Sequence, residues 1–450
     1  MKRAKIATIV FSFSAAALLP GHADAPKGAE KFWHQWRGPN ATGSAPFGNP
    51  PAEWSETKNI KWKLAIPGNG SATPVVWGDR MYVLSAVPTD KRAPGAAAPA
   101  ADAAGGQRRG GRGPQPEFIQ QFTVFAIDRR TGKIDWQKTV KEELPHEGTH
   151  PTNNWAPGSA VTDGEMVYAY FGSRGLYALD MKGNVKWEAD FGDMTTRNGF
   201  GEGSTPALYG DKIVVLWDHE GPDFIVALNK KTGKEVWRAP REEATTWSTP
   251  LVVEVNGDAQ VIVAATGSVR SYDLDNGQLV WQGPGLTPNA IPSPVYADGI
   301  VYLTSGFRGN AMYAVKLAEA KGDITNSPAI LWKYDRDTPY VPSPLLYGNE
   351  LYFLKSNNGV LSVFNAKTGE KLYGEQRLEE VPNVYASPVG AGGKVYIAGR
   401  EGATAVIERG GTFKLLSVNK LDDGFDASPV VIGDELYLRG KKNLYCIAAK

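Results

Sequence analysis

Ser293-Pro294-Val295-Tyr296-Ala297-Asp298-Gly299-Ile300-Val301-Tyr302 holds a hairpin in ten residues: a Ser-Pro entry, a short apolar run, an Asp-Gly turn and a Tyr-bearing strand. Asp and Gly tolerate the left-handed backbone that tight hairpins need, and Val, Ile and Tyr suit a pleated surface. The same plan recurs eight times, at Thr73-Pro74, Ser159-Ala160, Thr205-Pro206, Thr249-Pro250, Ser293-Pro294, Ser343-Pro344, Ser387-Pro388 and Ser428-Pro429. After the first interval the copies are about 41 to 50 residues apart, the length of four short strands with their turns. In six copies an aromatic residue or Val lies eight positions after the Pro, as Tyr302 follows Pro294 and Tyr352 follows Pro344.

A second hairpin completes each unit and is clearest in Phe125-Ala126-Ile127-Asp128-Arg129-Arg130-Thr131-Gly132-Lys133-Ile134-Asp135-Trp136. It recurs toward Trp187, Trp237, Trp281 and Trp332, with Tyr373 in the matching place. The large rings are expected to pin each unit to its neighbour. The last unit, from Asp426, has room for three strands only, while Asn59-Ile60-Lys61-Trp62-Lys63-Leu64 stands before the first Thr-Pro without partners. Joining the two closes a ring and removes the sheet edges that template aggregation. The expectation is an all-β, eight-bladed β-propeller of four-stranded antiparallel blades, closed by the N-terminal strand.

Net charge excludes little except a strong field: 49 Lys and Arg stand against 48 Asp and Glu, so nothing draws the chain to nucleic acid. Residues 1–23 place Lys2, Arg3 and Lys5 before an apolar run to Leu19 and a small-residue site at Ala23, the pattern of a cleaved secretory signal. The single cysteine, Cys446, leaves none at the cleavage site to carry a lipid. The reading is a periplasmic or secreted monomer without a membrane anchor, with an extension over 24–58 and the propeller over 59–450. One Ala-, Gly- and Pro-rich stretch, 88–115, reads as a disordered insertion between two strands of the first blade.

In a propeller, the turns joining strands one to two and three to four share a face, and these are short here. The remaining loops share the opposite face and are richer in chemistry, so a site is expected there. The candidates are His146, Glu147, His150, Asn198, Glu202, Asp218, His219, Asn289, Arg308 and Asp337. Three of the four histidines after the signal (His146, His150, His219) fall on this face. They could hold a transition metal for a hydrolase or lyase, or carboxylates and Asn carbonyls could hold calcium. A polar pocket for a sugar, peptide or small anion, with Arg308 and Arg336 as forked donors, is a further option. So is a set of groups that only cap strands and satisfy loop backbone.

The motif Ala126, Asp128, Thr131, Gly132, Lys133, Trp136 resembles the tryptophan-docking repeat of the pyrroloquinoline-quinone (PQQ) propellers: quinoprotein alcohol dehydrogenases and the BamB-type outer-membrane assembly propeller. The opening Trp33-His34-Gln35-Trp36-Arg37-Gly38-Pro39-Asn40 is similar to the start of a bacterial subgroup of such proteins. The resemblance implies the fold. It does not carry over a catalytic set: Cys446 cannot form the adjacent cysteine pair of methanol-oxidising members, and no CxxCH haem site is present. PQQ and calcium are therefore possible cofactors without motif support, although Glu202, Asn289 and Asp337 supply the residue types of the calcium set, with Asp337 as a base. The expectation is a non-catalytic propeller that binds a protein or small ligand through its loop-rich face; the alternative is a PQQ- and calcium-dependent oxidoreductase.

Overall fold

A computed structural model describes residues 28–92 and 115–449. It contains eight four-stranded antiparallel blades. Blade 1 is built from Val75–Trp77, Arg80–Arg92, Phe118–Asp128 and Ile134–Glu143, and blades 2 to 7 begin at Val161, Ala207, Leu251, Val295, Leu345 and Val389. Blade 8 takes Val430–Ile432, Glu435–Arg439 and Asn443–Ile447 from the C-terminus and Ile60–Ala65 from the N-terminus. The closing strand pairs antiparallel with the last, Leu64 opposite Leu444 and Lys63 opposite Tyr445. Closure is thus as the sequence predicts.

The eight-residue spacing has a direct structural meaning. The residue after each Pro pairs across the first hairpin with the residue eight positions after that Pro, as in Val75↔Tyr82, Val295↔Tyr302, Leu345↔Tyr352 and Val430↔Tyr437. Blade 4 breaks the rule because its first strand is longer, Leu251–Val255, so that Leu251 pairs with Ile262. Its turn is Asn256-Gly257, with φ of 56° and 94°, the double left-handed geometry of a tight hairpin.

The Ser/Thr of the entries form a belt around the axis. The backbone N–H of Ser159 donates to the Thr205 hydroxyl, and the same bond links Thr205 to Thr249, Thr249 to Ser293, Ser293 to Ser343, Ser343 to Ser387, Ser387 to Ser428 and Ser428 to Thr73, at 2.9–3.2 Å. A buried N–H without a partner is costly, so a hydroxyl is required at this position in the following blade.

At the periphery the tryptophans dock as expected. The indole N–H of Trp62, Trp136, Trp187, Trp237 and Trp332 donates to the carbonyls of Arg129, Met181, Lys230, Leu274 and Ala366 in the next blade. Those carbonyls belong to Asx turns; Asp128 Oδ1, for example, accepts the N–H groups of Arg130 and Thr131. Trp281 departs from the pattern. Blade 5 replaces the turn it would meet with a longer connection whose Gly322–Asp323 pairs along the outer edge of blade 4, so Trp281 is fully buried and bonds Gln260 of its own blade.

Two further departures concern connections. Pro88–Arg92 is strand, with Pro88 opposite Gln120 and Arg92 opposite Phe118, so the expected insertion does not begin at 88. Residues 93–114 of that insertion, and the expected signal segment 1–23, lie outside the described residues. The extension after Gly28 is ordered across the short-turn face: the Trp33 carbonyl accepts Val76 N–H of blade 1, His34 accepts Thr162 N–H of blade 2, and Thr42 accepts Leu346 N–H of blade 6. Ser44–Ala45 then pairs with Val389–Ala391 of blade 7. Among the described residues no helix is long and apolar enough to cross a membrane.

Candidate functional site

The extension turns the channel into a cup. Trp36 donates its indole N–H to the Ser293 hydroxyl at 3.1 Å, and Arg37, buried beneath it, donates to the carbonyls of Pro388 and Pro344 at 2.9 and 2.6 Å. Above Trp36 lies a cavity of about 440 Å³ opening on the loop-rich face. Seven of the eight belt residues line it, all except Thr73. So does the residue two positions before every belt residue: Ser71, Pro157, Gly203, Trp247, Ile291, Val341, Tyr385 and Asp426. Side chains two apart on an extended strand share a face, which is why one repeat position presents all eight inward.

Aromatic rings stand in the wall among the hydroxyls of the belt. Phe307 stacks on Tyr340 with centroids 4.7 Å apart, the Arg400 guanidinium lies 3.9 Å from the Tyr385 centroid, and Phe200 meets the His150 ring edge to face at 5.1 Å. Arg400 is held by Asp426 at 2.6 Å. Burial, with help from Arg400, lowers the His150 pKa, and its Nδ1 accepts the Thr152 N–H, so a neutral imidazole faces the cavity.

Most of the other sequence candidates are committed to internal partners. His146 donates from Nε2 to the Met194 carbonyl and accepts from Arg174 at Nδ1. His219 accepts Thr195 N–H at Nδ1 and donates from Nε2 to Pro222. Glu147 accepts the N–H and hydroxyl of Thr196. Asp218 and Arg241 form a fully buried bidentate pair at 2.6 and 3.0 Å. Glu202 lines the cavity, but its carboxylate accepts the Ser173 N–H and hydroxyl at 2.7 and 2.5 Å; burial raises its pKa against those bonds. Asn289, Arg308 and Asp337 do not line the cavity: Asn289 donates to the Tyr340 hydroxyl, Arg308 lies over Phe307, and Asp337 pairs with Lys355 at 2.8 Å. Asn198, with φ of 56°, is an exposed turn residue.

Among the described residues no three His, Cys, Asp or Glu side chains are grouped to hold a metal. The residue types of the calcium set do not fit one ion. The oxygens of Glu202 are taken by Ser173, Asp337 is neutralised by Lys355, and neither Asn289 nor Asp337 reaches the cavity. Cys446 is buried on the strand that pairs with the closing strand, opposite Trp62, and burial pushes its thiol up to about 12. Sequence reasoning missed Trp36, Trp247 and Tyr385; for the last two the signal was available in the repeat, since they sit two residues before Thr249 and Ser387.

A family model described as outer membrane protein assembly factor BamB matches residues 120–326 and 285–450. The chain belongs to the PQQ-like propeller family. Among curated relatives, tetrathionate hydrolase of Acidithiobacillus ferrooxidans is 22% identical over 70% of this chain and 66% of its own length. Quinoprotein alcohol dehydrogenase PedH of Pseudomonas putida is 24% identical over 62% of this chain and 38% of its own length. The chain thus spans under two thirds of both relatives. Solved PQQ-like propellers share the fold at low identity: BamB from Moraxella catarrhalis (TM-score 0.53, 16% identity, 81% of this chain and 100% of that one) and a europium-containing methanol dehydrogenase (0.61, 12%, 93% and 91%).

Proposed function

We propose that this PQQ-like propeller is an exported, non-catalytic recognition protein that takes a ligand into the central cavity of its loop-rich face. The observation that carries the reading is the combination at that cavity. Aromatic rings and a Trp36 floor offer a place for a ligand, while the carboxylates that line it, Glu202 and Asp426, are engaged with Ser173 and Arg400 and leave only the single imidazole of His150 beside them. General acid–base or metal chemistry needs groups free to exchange protons or coordinate; stacking and hydrogen bonding need only surfaces and fixed dipoles. The basic, then apolar, N-terminal segment ending at Ala23 supports export, and N-terminal sequencing of the mature protein tests the cleavage site.

The ligand claim is tested with Ile291→Trp, which fills the cavity from a half-buried position without removing a hydrogen-bonding side chain. Wild type and variant are purified from the export compartment, denatured, and the released small molecules compared by mass. A species present in wild type and missing from the folded variant is expected. The same species in both, or its absence from both, overturns the cavity as the binding place. The relative named as a quinoprotein keeps PQQ- and calcium-dependent oxidation as the competing outcome.

A further inference from the structure

Beside the central cavity, at the seam between blades 8 and 1, lies a second one of about 410 Å³. The two share Ser71, Thr152, Asn153 and Asp426. Its lining holds three cations, Arg400, Arg439 and Lys441, against one carboxylate, Asp426.

Arg439 is the unusual member. It is buried, 3% exposed, and among the described residues no carboxylate pairs with it. Its one hydrogen bond runs from Nη1 to the Ala72 carbonyl at 2.8 Å. Burial pushes its pKa down to about 9, which still leaves it charged at neutral pH. The other buried unpaired arginine, Arg37, shows what a purely structural guanidinium does here: it meets three carbonyls, of Pro388, Pro344 and Thr42. Arg439 packs Nη2 against Gly70, where a Cβ would approach it to 2.5 Å, and both residues line the cavity. A buried cation short of acceptors is destabilising until a counter-charge arrives.

We propose that the seam is an anion site, and that the ligand of the central cavity is a small organic anion. Its apolar or aromatic body lies against Tyr385 and Trp247, and its carboxylate, sulfonate or phosphate head reaches Arg439 and Lys441 across the shared wall. Asp426 does not repel the head, because it is paired with Arg400 at 2.6 Å and faces Lys441 at 3.8 Å. This inference rests on the reading of the central cavity as a binding site.

The test is calorimetric titration of the mature protein at low salt with 2-naphthalenesulfonate, neutral 2-naphthol and inorganic sulfate. The sulfonate is expected to bind about tenfold more tightly than naphthol, a charge-assisted contact to a desolvated guanidinium being the difference. Arg439→Met should remove that preference. Because a buried substitution can impair folding, Lys441→Glu at a half-exposed position is the second variant, and it should weaken the sulfonate about threefold while leaving naphthol unchanged. Equal binding of sulfonate and naphthol overturns the anion site but leaves the cavity as a binding place. A preference untouched by Lys441→Glu, or binding of neither probe, also overturns it, and the comparison with Ile291→Trp then judges the cavity by itself.

Discussion

The indole N–H of Trp36 reaches the hydroxyl of Ser293 at 3.1 Å, across 257 positions of chain. That bond ties the N-terminal extension to the belt at the centre of the ring and makes an open channel into a cup. Trp36→Ala should cost about 2 kcal/mol, since the ring is only partly buried, whereas Trp36→Phe should cost about 1 kcal/mol for the lost hydrogen bond. Urea unfolding of both variants checks the order.

The docking glycines separate steric from backbone effects. Gly277 has φ of +73°, and a Cβ there would stand 2.4 Å from the Trp237 ring; Gly257 has φ of +94° with nothing within 4 Å. Gly277→Ala should therefore cost about 3 kcal/mol, and Gly257→Ala only the roughly 1 kcal/mol of left-handed backbone. Equal midpoint shifts in thermal melts contradict the docking role of Trp237.

Asp218 reads as a site residue from sequence and as a girder from structure. Its bidentate pair with Arg241 has no exposure on either side, so Asp218→Asn should cost about 3–5 kcal/mol by leaving a buried cation unpaired. Ligand retention by the folded fraction should not change. Denaturant titration combined with the released-ligand assay reads both.

Ring closure should be sensitive to acid. Glu435 of blade 8 meets Lys61 of the closing strand, Arg129 of blade 1 and Tyr437. Burial acts to raise its pKa, but the bonds from Lys61 and Tyr437 and the Arg129 charge hold it below the ordinary value of 4.5. A depressed folded pKa means the unfolded chain binds the proton first. The stabilisation is thus complete above the ordinary Glu range and is lost as pH falls through the folded value. Stability measured from pH 7 down to pH 3 should fall less steeply in Glu435→Gln.

Much of the fold was legible because one repeat writes the same physics eight times. The Ser/Thr must accept a neighbour's N–H, the residue eight after the Pro must face its hairpin partner, and the Trp needs an Asx-Gly turn to dock on. The exceptions, Trp281 and the blade 4 hairpin, follow from a replaced turn and a longer strand. The site was less legible, since a loop histidine carries no mark of whether its nitrogens are spent: His146 and His219 spend both, and His150 alone of the three faces the cavity. The floor was hidden for another reason. Nothing local in the extension shows that Trp36 will lie under Ser293, because that contact exists only once the ring has closed.

The most direct test of recognition without catalysis is a calorimetric titration of the purified mature protein with pyrroloquinoline quinone and calcium, followed by a dye-linked oxidation assay on the same sample. The account predicts no stoichiometric quinone uptake and no cofactor-dependent dye reduction, with the calcium-type donors Glu202 and Asp337 held by Ser173 and Lys355. Tight uptake of one quinone per chain with calcium-dependent dye reduction would contradict it and make the central cavity the seat of an oxidoreductase.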